Sequence, residues 1–145
     1  MYAAGGFTGG DFLDSVECFD SSTGQWSLVA PMSTRRYKHT MAAMNGKLYA
    51  MGGENTASVA IGSVECFDLS TNQWSAVAEM NTGRRELGSA VVHGKLYVMG
   101  GTDAAGVTLS SAECFDPLTN QWSAVADMGT ARTNLGATAL ECPAD

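Results

Sequence analysis

One interval governs this chain: 48 residues separate Trp26 from Trp74 and Trp74 from Trp122, and the same step relates Cys18, Cys66 and Cys114. Self-similarity at so long a period constrains the fold more than local propensity does. Each copy must be a supersecondary unit that buries its apolar faces against its neighbours. The glycine pairs Gly5-Gly6, Gly52-Gly53 and Gly100-Gly101 keep this phase, except that the first copy has one residue fewer between its glycines and its cysteine. Length changes are tolerated on the surface, so the segment after each pair reads as a loop.

The middle copy predicts four strands from its apolar and alternating runs. They are Lys38 to Met44, Lys47 to Met51, Ser63 to Asp68 and Gln73 to Ala78. Asn45-Gly46 suits a two-residue hairpin, since both residues tolerate positive φ. Leu69-Ser70-Thr71-Asn72 reads as a turn, and Gly52-Gly53 marks a place where only a missing Cβ lets the chain turn or approach a neighbour. Four antiparallel strands per unit describe a propeller blade.

Composition removes several function classes. The net charge of −7 lacks the basic face that a nucleic-acid partner needs. No run approaches the roughly 18 to 20 apolar residues of a membrane span, and Met1 does not open a signal-peptide pattern. Cysteines at one phase of a repeat stand a whole unit apart, too far for a disulfide. Reduced, buried thiols in a cytoplasmic protein follow as the expectation.

The succession Arg84, Gly94-Lys95-Leu96-Tyr97-Val98-Met99-Gly100-Gly101, Ser111-Ala112-Glu113-Cys114-Phe115-Asp116 and Asn120-Gln121-Trp122 resembles the kelch repeat, most closely that of animal kelch-like proteins. The resemblance spans essentially the whole chain. It implies an all-β, kelch-type β-propeller of three four-stranded blades, one of them split between the chain ends. The expected layout is three strands of the first blade over 1–30, a second blade over 35–78, a third over 83–126, and the inner strand of the split blade over 131–141. Three blades are too few for a closed ring, which takes four to eight. A head-to-tail homodimer of two half-propellers would give six blades, each C-terminal strand completing the other chain's first blade. A longer parent chain supplying the remaining blades is the competing expectation.

Residues recurring in every copy are expected to be structural. These are Trp26, Trp74 and Trp122, and the in-phase charges Arg36, Arg84 and Arg132 with Glu17, Glu65 and Glu113. Burial would require those charges to pair, which is favoured over an arginine ring that binds an anion at the axis. Variable residues at one face are better candidates for binding. In kelch-like proteins the matching positions form a peptide-binding bowl. The resemblance carries this to Tyr37, Lys38, Arg85, Glu86, Thr133 and Asn134 at the inner-strand starts, and to Phe7, Asn55 and Asp103 in the loops. Glu54, Glu86 and Asp103 disfavour an acidic ligand there.

Enzymatic signatures are lacking. The two histidines, His39 and His93, form no HxH or HExxH pattern, no CxxC pair exists, and no serine has a GxSxG setting. No metal or cofactor is expected, and no membrane partner. The sequence points to a non-enzymatic protein-interaction module that engages a peptide or protein loop. The alternatives are an isomerase, lyase or oxidase on a kelch ring, or a structural half-propeller with no dedicated ligand. Presentation of substrates to a ubiquitin ligase, a family role, would need BTB and BACK regions that are absent from this chain.

Overall fold

The computed structural model describes residues 1–140 and holds eleven strands, with no helix among these residues. β1 (Tyr2–Ala4), β2 (Val16–Asp20) and β3 (Gln25–Val29) form the first sheet, in that order. β4 (Thr40–Met44), β5 (Lys47–Met51), β6 (Val64–Asp68) and β7 (Gln73–Val77) form the second. β8 (Gly88–Val92), β9 (Lys95–Met99), β10 (Ala112–Asp116) and β11 (Gln121–Val125) form the third. Every neighbour pair is antiparallel, and equivalent residues face one another in the second and third sheets: Tyr49 pairs with Cys66 and Tyr97 with Cys114. The three sheets are blades of one propeller fragment. Cys18, Cys66 and Cys114 carry free thiols.

The predicted hairpin at Asn45-Gly46 forms with φ of 51° and 73°, and its counterpart His93-Gly94 with 48° and 71°. Two consecutive left-handed residues give a primed turn, whose twist matches that of the flanking strands. At Gly52, φ is +64° and an added Cβ would lie 2.5 Å from the Arg84 carbonyl oxygen. The glycine pair is therefore where the connection between blades crosses against the sheet.

Blades pack through two apolar cores. Val16, Met32 and Ala50, with Tyr2, Met41 and Trp74 beside them, join the first blade to the second. Met51, Val64, Met80, Leu96, Val98, Phe115 and Trp122 join the second to the third. Trp74 and Trp122 each seal a joint with the indole N–H. Trp74 Nε1 donates to the Ala30 carbonyl at 2.9 Å, and Trp122 Nε1 to that of Ala78 at 2.8 Å.

The in-phase charges form buried clamps. Arg36 and Arg84 are both 0% exposed. Arg84 Nη1 donates to the carbonyls of Gly100 (3.0 Å) and Ser111 (2.9 Å), and Nη2 reaches Glu113 Oε1 at 2.8 Å. Glu113 also accepts the backbone N–H groups of Asn81 (2.7 Å) and Thr82 (3.1 Å). Arg36 repeats this with Gly52, Ser63 and Glu65, and Glu65 accepts from Ser33 and Thr34. Burial alone would raise the Glu65 carboxyl, yet the Arg36 guanidinium and the two N–H groups outweigh it and hold its pKa below the ordinary value. Each arginine is fixed by its backbone to the preceding blade, as Arg84 N–H is to the Ile61 carbonyl, and by its side chain to the next. Enclosed in this way, Arg36 and Arg84 offer nothing to an anion at the axis.

The third clamp differs. Arg132 and Glu17 are exposed, one at each end of the array, and Trp26 is 46% exposed against 9% for Trp122. The inner strand expected over 131–141 forms no strand in its described part, 131–140, and Glu141 lies outside the described residues. The physical reason is that, among the described residues, no strand edge pairs with this stretch; it runs past the third blade, where the Cβ of Ala137 comes 2.8 Å from an ideal Cβ on Gly88.

Candidate functional site

The inner-strand starts meet at one end of the array. Lys38, Glu86 and Asn134 stand at one phase of the repeat and all adopt left-handed φ, of 58°, 57° and 53°. Such a backbone costs a non-glycine residue on the order of 1 kcal/mol. The return is a stitch between neighbouring blades. Glu86 N–H donates to the Lys38 carbonyl at 2.8 Å, and Asn134 N–H to that of Glu86 at 2.9 Å. The residue before each start is held by its own blade: Tyr37 exchanges both backbone bonds with Glu54, and Arg85 does so with Thr102. Glu54 and Thr102, which directly follow their glycine pairs, therefore stand beside the starts, while Phe7 at the same phase bridges to Phe12 and meets Tyr37 through its ring.

Their side chains interlock across blades. Lys38 Nζ lies 2.7 Å from Glu86 Oε1 and 3.7 Å from Glu54 Oε2, and Arg85 Nη1 lies 3.2 Å from the same Glu54 oxygen. Thr133 donates to Glu86 Oε2 at 2.9 Å and accepts from Thr102 at 3.0 Å. The Lys38 hydrogen bond is the main cause that lowers the Glu86 pKa, and Glu86 in turn raises that of Lys38. Two cations balance two carboxylates here. The expectation that Glu54 and Glu86 repel an acidic ligand thus loses its basis.

The remaining predicted residues divide. Asn55 and Asp103 hold their own loops: Asn55 Oδ1 accepts from Ala57 and Val59, and Asp103 Oδ1 from Ala105 and Val107. The side chain of Asn134 is exposed. Phe7 and Tyr37 join Phe12, with ring centroids 5.3 to 5.6 Å apart. Lys38 Nζ sits 5.4 Å from the Tyr37 ring centre. Phe7 remains 47% exposed. An open cleft of about 340 Å³ adjoins this cluster, lined by Gly10, Asp11, Phe12 and Arg35 from one side and Thr56 and Ser58 from the next loop. Arg35 is exposed and lies 3.7 Å from Asp14.

Sequence reasoning placed Glu54 at the bowl only as a charge that disfavours an acidic ligand, and it missed Phe12, Thr102 and Arg35 as members of the site. The signal for Glu54 and Thr102 was available as their shared phase. The expected loop residues Asn55 and Asp103 lie one position later, at a constant 48-residue step from Phe7 that ignores the shorter loop of the first copy. Phe12 and Arg35 vary between copies, and neither has a signal in one sequence.

The family model "KLHDC2/KLHL20/DRC7 Kelch-repeats domain" matches residues 1–140. Similar proteins include the influenza virus NS1A-binding protein homolog of Mus musculus, 46% identical over 55 residues, and its namesake in Homo sapiens, 44% identical over 55 residues. Homolog B of Danio rerio is 42% identical over the same length. In each case the match takes in 38% of this chain and only 9% of the relative. Membership of this class supports a protein-interaction module at the level of the family. With a blade fold in three phased copies and a family model matched from residue 1 to 140, the chain belongs to the kelch-repeat family.

Proposed function

We propose that the chain is a non-enzymatic recognition module that binds a peptide or protein loop at the end of the array where the inner strands start. The observation that carries this reading is the aromatic cluster of Phe7, Phe12 and Tyr37 beside an open cleft. Rigid aromatic groups that are half exposed next to a polar rim have the composition of binding hot spots. Lys38, Glu54, Arg85, Glu86 and Thr133 are already engaged with one another, so they form the wall of the bowl. The first contacts with a ligand fall to the aromatic cluster, Arg35 and the Asn134 side chain. The similar proteins that match 55 residues are named for binding another protein, which agrees with this reading.

A peptide display library panned against the purified protein tests it. Selected peptides are expected to lose at least about tenfold in affinity on Tyr37→Ala or Phe12→Ala, a cost of about 1.4 kcal/mol or more. Circular dichroism checks that both variants fold. Peptides that bind equally well to both variants would remove the cluster from the site.

The same reading includes closure of the array by twofold pairing of two chains into six blades. Among the described residues one edge of β1 and the stretch 131–140 have no strand partner, which supports this closure.

A further inference from the structure

The two open faces of this half-propeller are the two halves of the joint that the chain already makes twice. At each internal joint one blade supplies an arginine and a tryptophan-accepting carbonyl, and the next supplies a glutamate and a tryptophan. The pairs are Arg36 with Glu65 and Trp74 with the Ala30 carbonyl, then Arg84 with Glu113 and Trp122 with the Ala78 carbonyl. One step further along the repeat stand Arg132 and Ala126 on the third blade, and Glu17 and Trp26 on the first. Both charged residues are exposed, although their equivalents are 0% exposed in the arginines and 3% in the glutamates.

We infer that the third blade's open face docks on the first blade of a second copy of this chain, with Arg132 entering the pocket formed by the partner's Gly5, Ser15 and Glu17. This rests on the ring closure proposed above and gives it a residue-level interface. Every acceptor in the pocket has its counterpart at the internal joints: Gly5 matches Gly52 and Gly100, and Ser15 matches Ser63 and Ser111. The partner's Glu17 also takes the N–H groups of Gly129 and Thr130, as Glu113 takes those of Asn81 and Thr82. The partner's Trp26 gives its indole N–H to the Ala126 carbonyl. The aromatic contact repeats as well. Tyr2 meets Phe67 at 6.1 Å and Tyr49 meets Phe115 at 6.0 Å, so Tyr97 meets the partner's Phe19. One internal bond has no equivalent, because Gly24 stands where Asn72 and Asn120 accept the N–H groups of Ala30 and Ala78.

Charge decides the occupant. An exposed cation at one end and an exposed anion at the other, in the register of two buried ion pairs, are complementary between copies. The binding site gains from the union. By the bridges that join Tyr37 to Glu54 and Arg85 to Thr102, Thr133 lies beside the partner's Phe7. The ladder of β4 on β5, carried one step on, places Gly136, Ala137 and Thr138 opposite the partner's Ala4, Ala3 and Tyr2. The bowl is then lined by two copies of each candidate residue.

The test uses Glu17→Arg and Arg132→Glu, each at a residue exposed in the single chain, so both variants keep native circular dichroism. Light scattering on the unmodified protein is expected to give twice the 15.1 kDa of one chain. Each variant alone sets like charges against each other at both joints and falls to the single-chain mass. Mixing the two restores one native joint and one charge-reversed joint, and native mass spectrometry finds the mixed dimer in excess of either parent dimer. A single-chain mass for the unmodified protein overturns the ring closure itself. A dimer that both variants leave intact keeps the closure and overturns this interface.

Discussion

Replacing Arg84 by Met isolates what a buried clamp contributes. The side chain is fully enclosed and joins two blades, with donors on the carbonyls of Gly100 and Ser111 and on Glu113. Removing one partner of a buried ion pair generally costs about 3–5 kcal/mol. The Glu113 carboxylate keeps the N–H groups of Asn81 and Thr82, which softens the loss of its cation. The Gly100 carbonyl loses its side-chain donor at about 1–3 kcal/mol where no water enters, whereas the Ser111 carbonyl keeps the N–H of Gly100. Arg84→Met is therefore expected to cost about 4 kcal/mol, a large part of the 5–15 kcal/mol of an ordinary domain. Many buried ion pairs can be exchanged for apolar residues at little cost, but this one is different. In Arg84→Met with Glu113→Leu the Asn81 and Thr82 N–H groups also lose their acceptor, so the double variant stays at least about 3 kcal/mol below the parent. Urea unfolding followed by tryptophan fluorescence measures both. A double variant as stable as the parent would refute the view that the glutamate organises the connection between blades.

Other consequences are open to direct measurement. His39, pressed against Gly5 and Gly53, has a pKa lowered to about 4 by burial and then by Arg36. The folded state thus binds this proton less readily than the unfolded chain. Stability is unaffected above pH 6.5 and is lost as pH falls from there to about 4, by at most about 3 kcal/mol. His39→Leu, which installs the residue found at positions 87 and 135, is expected to remove this slope from urea midpoints measured against pH. Gly52→Ala meets the Arg84 carbonyl at 2.5 Å and is expected to cost more than about 2 kcal/mol, whereas Gly46→Ala, with open space and φ of +73°, costs only about 1 kcal/mol of backbone strain. Thermal unfolding of the two variants compares them. Trp122→Phe leaves the Ala78 carbonyl without its donor and is expected to lower stability by about 1–2 kcal/mol, again by urea titration.

The blade was legible in the sequence because its signals are local and repeated. Lys47 to Met51 was read to the residue, and the Asn45-Gly46 turn followed from chemistry that only a left-handed pair allows. The inner strand was placed too early, at Lys38 rather than Thr40. Lys38 adopts left-handed φ to reach the neighbouring blade, a demand that comes from outside its own copy. Opposite charges in phase announced the clamp, yet the backbone N–H groups of Ser33, Thr34, Asn81 and Thr82 that donate to Glu65 and Glu113 have no sequence signature. The site was less legible. Lys38, Arg85, Glu86 and Thr133 are expected from the sequence to face a ligand, whereas their contacts with one another through Glu54 and Glu86 follow only from the spacing of adjacent blades. Phe12 joins Phe7 through an isolated bridge in a loop whose length is unique to the first copy.

The arginine of each clamp sits on the connection between sheets, and its glutamate sits in the sheet that follows. Every unit therefore carries a plug at one side and a socket at the other, cut from the same stretch of sequence. A tandem duplication of one 48-residue unit would arrive with its own matched joint on both sides, needing no compensating change elsewhere. The chain can lengthen or shorten by whole blades at constant interface chemistry, and the only part that must be reinvented is the face that meets a ligand.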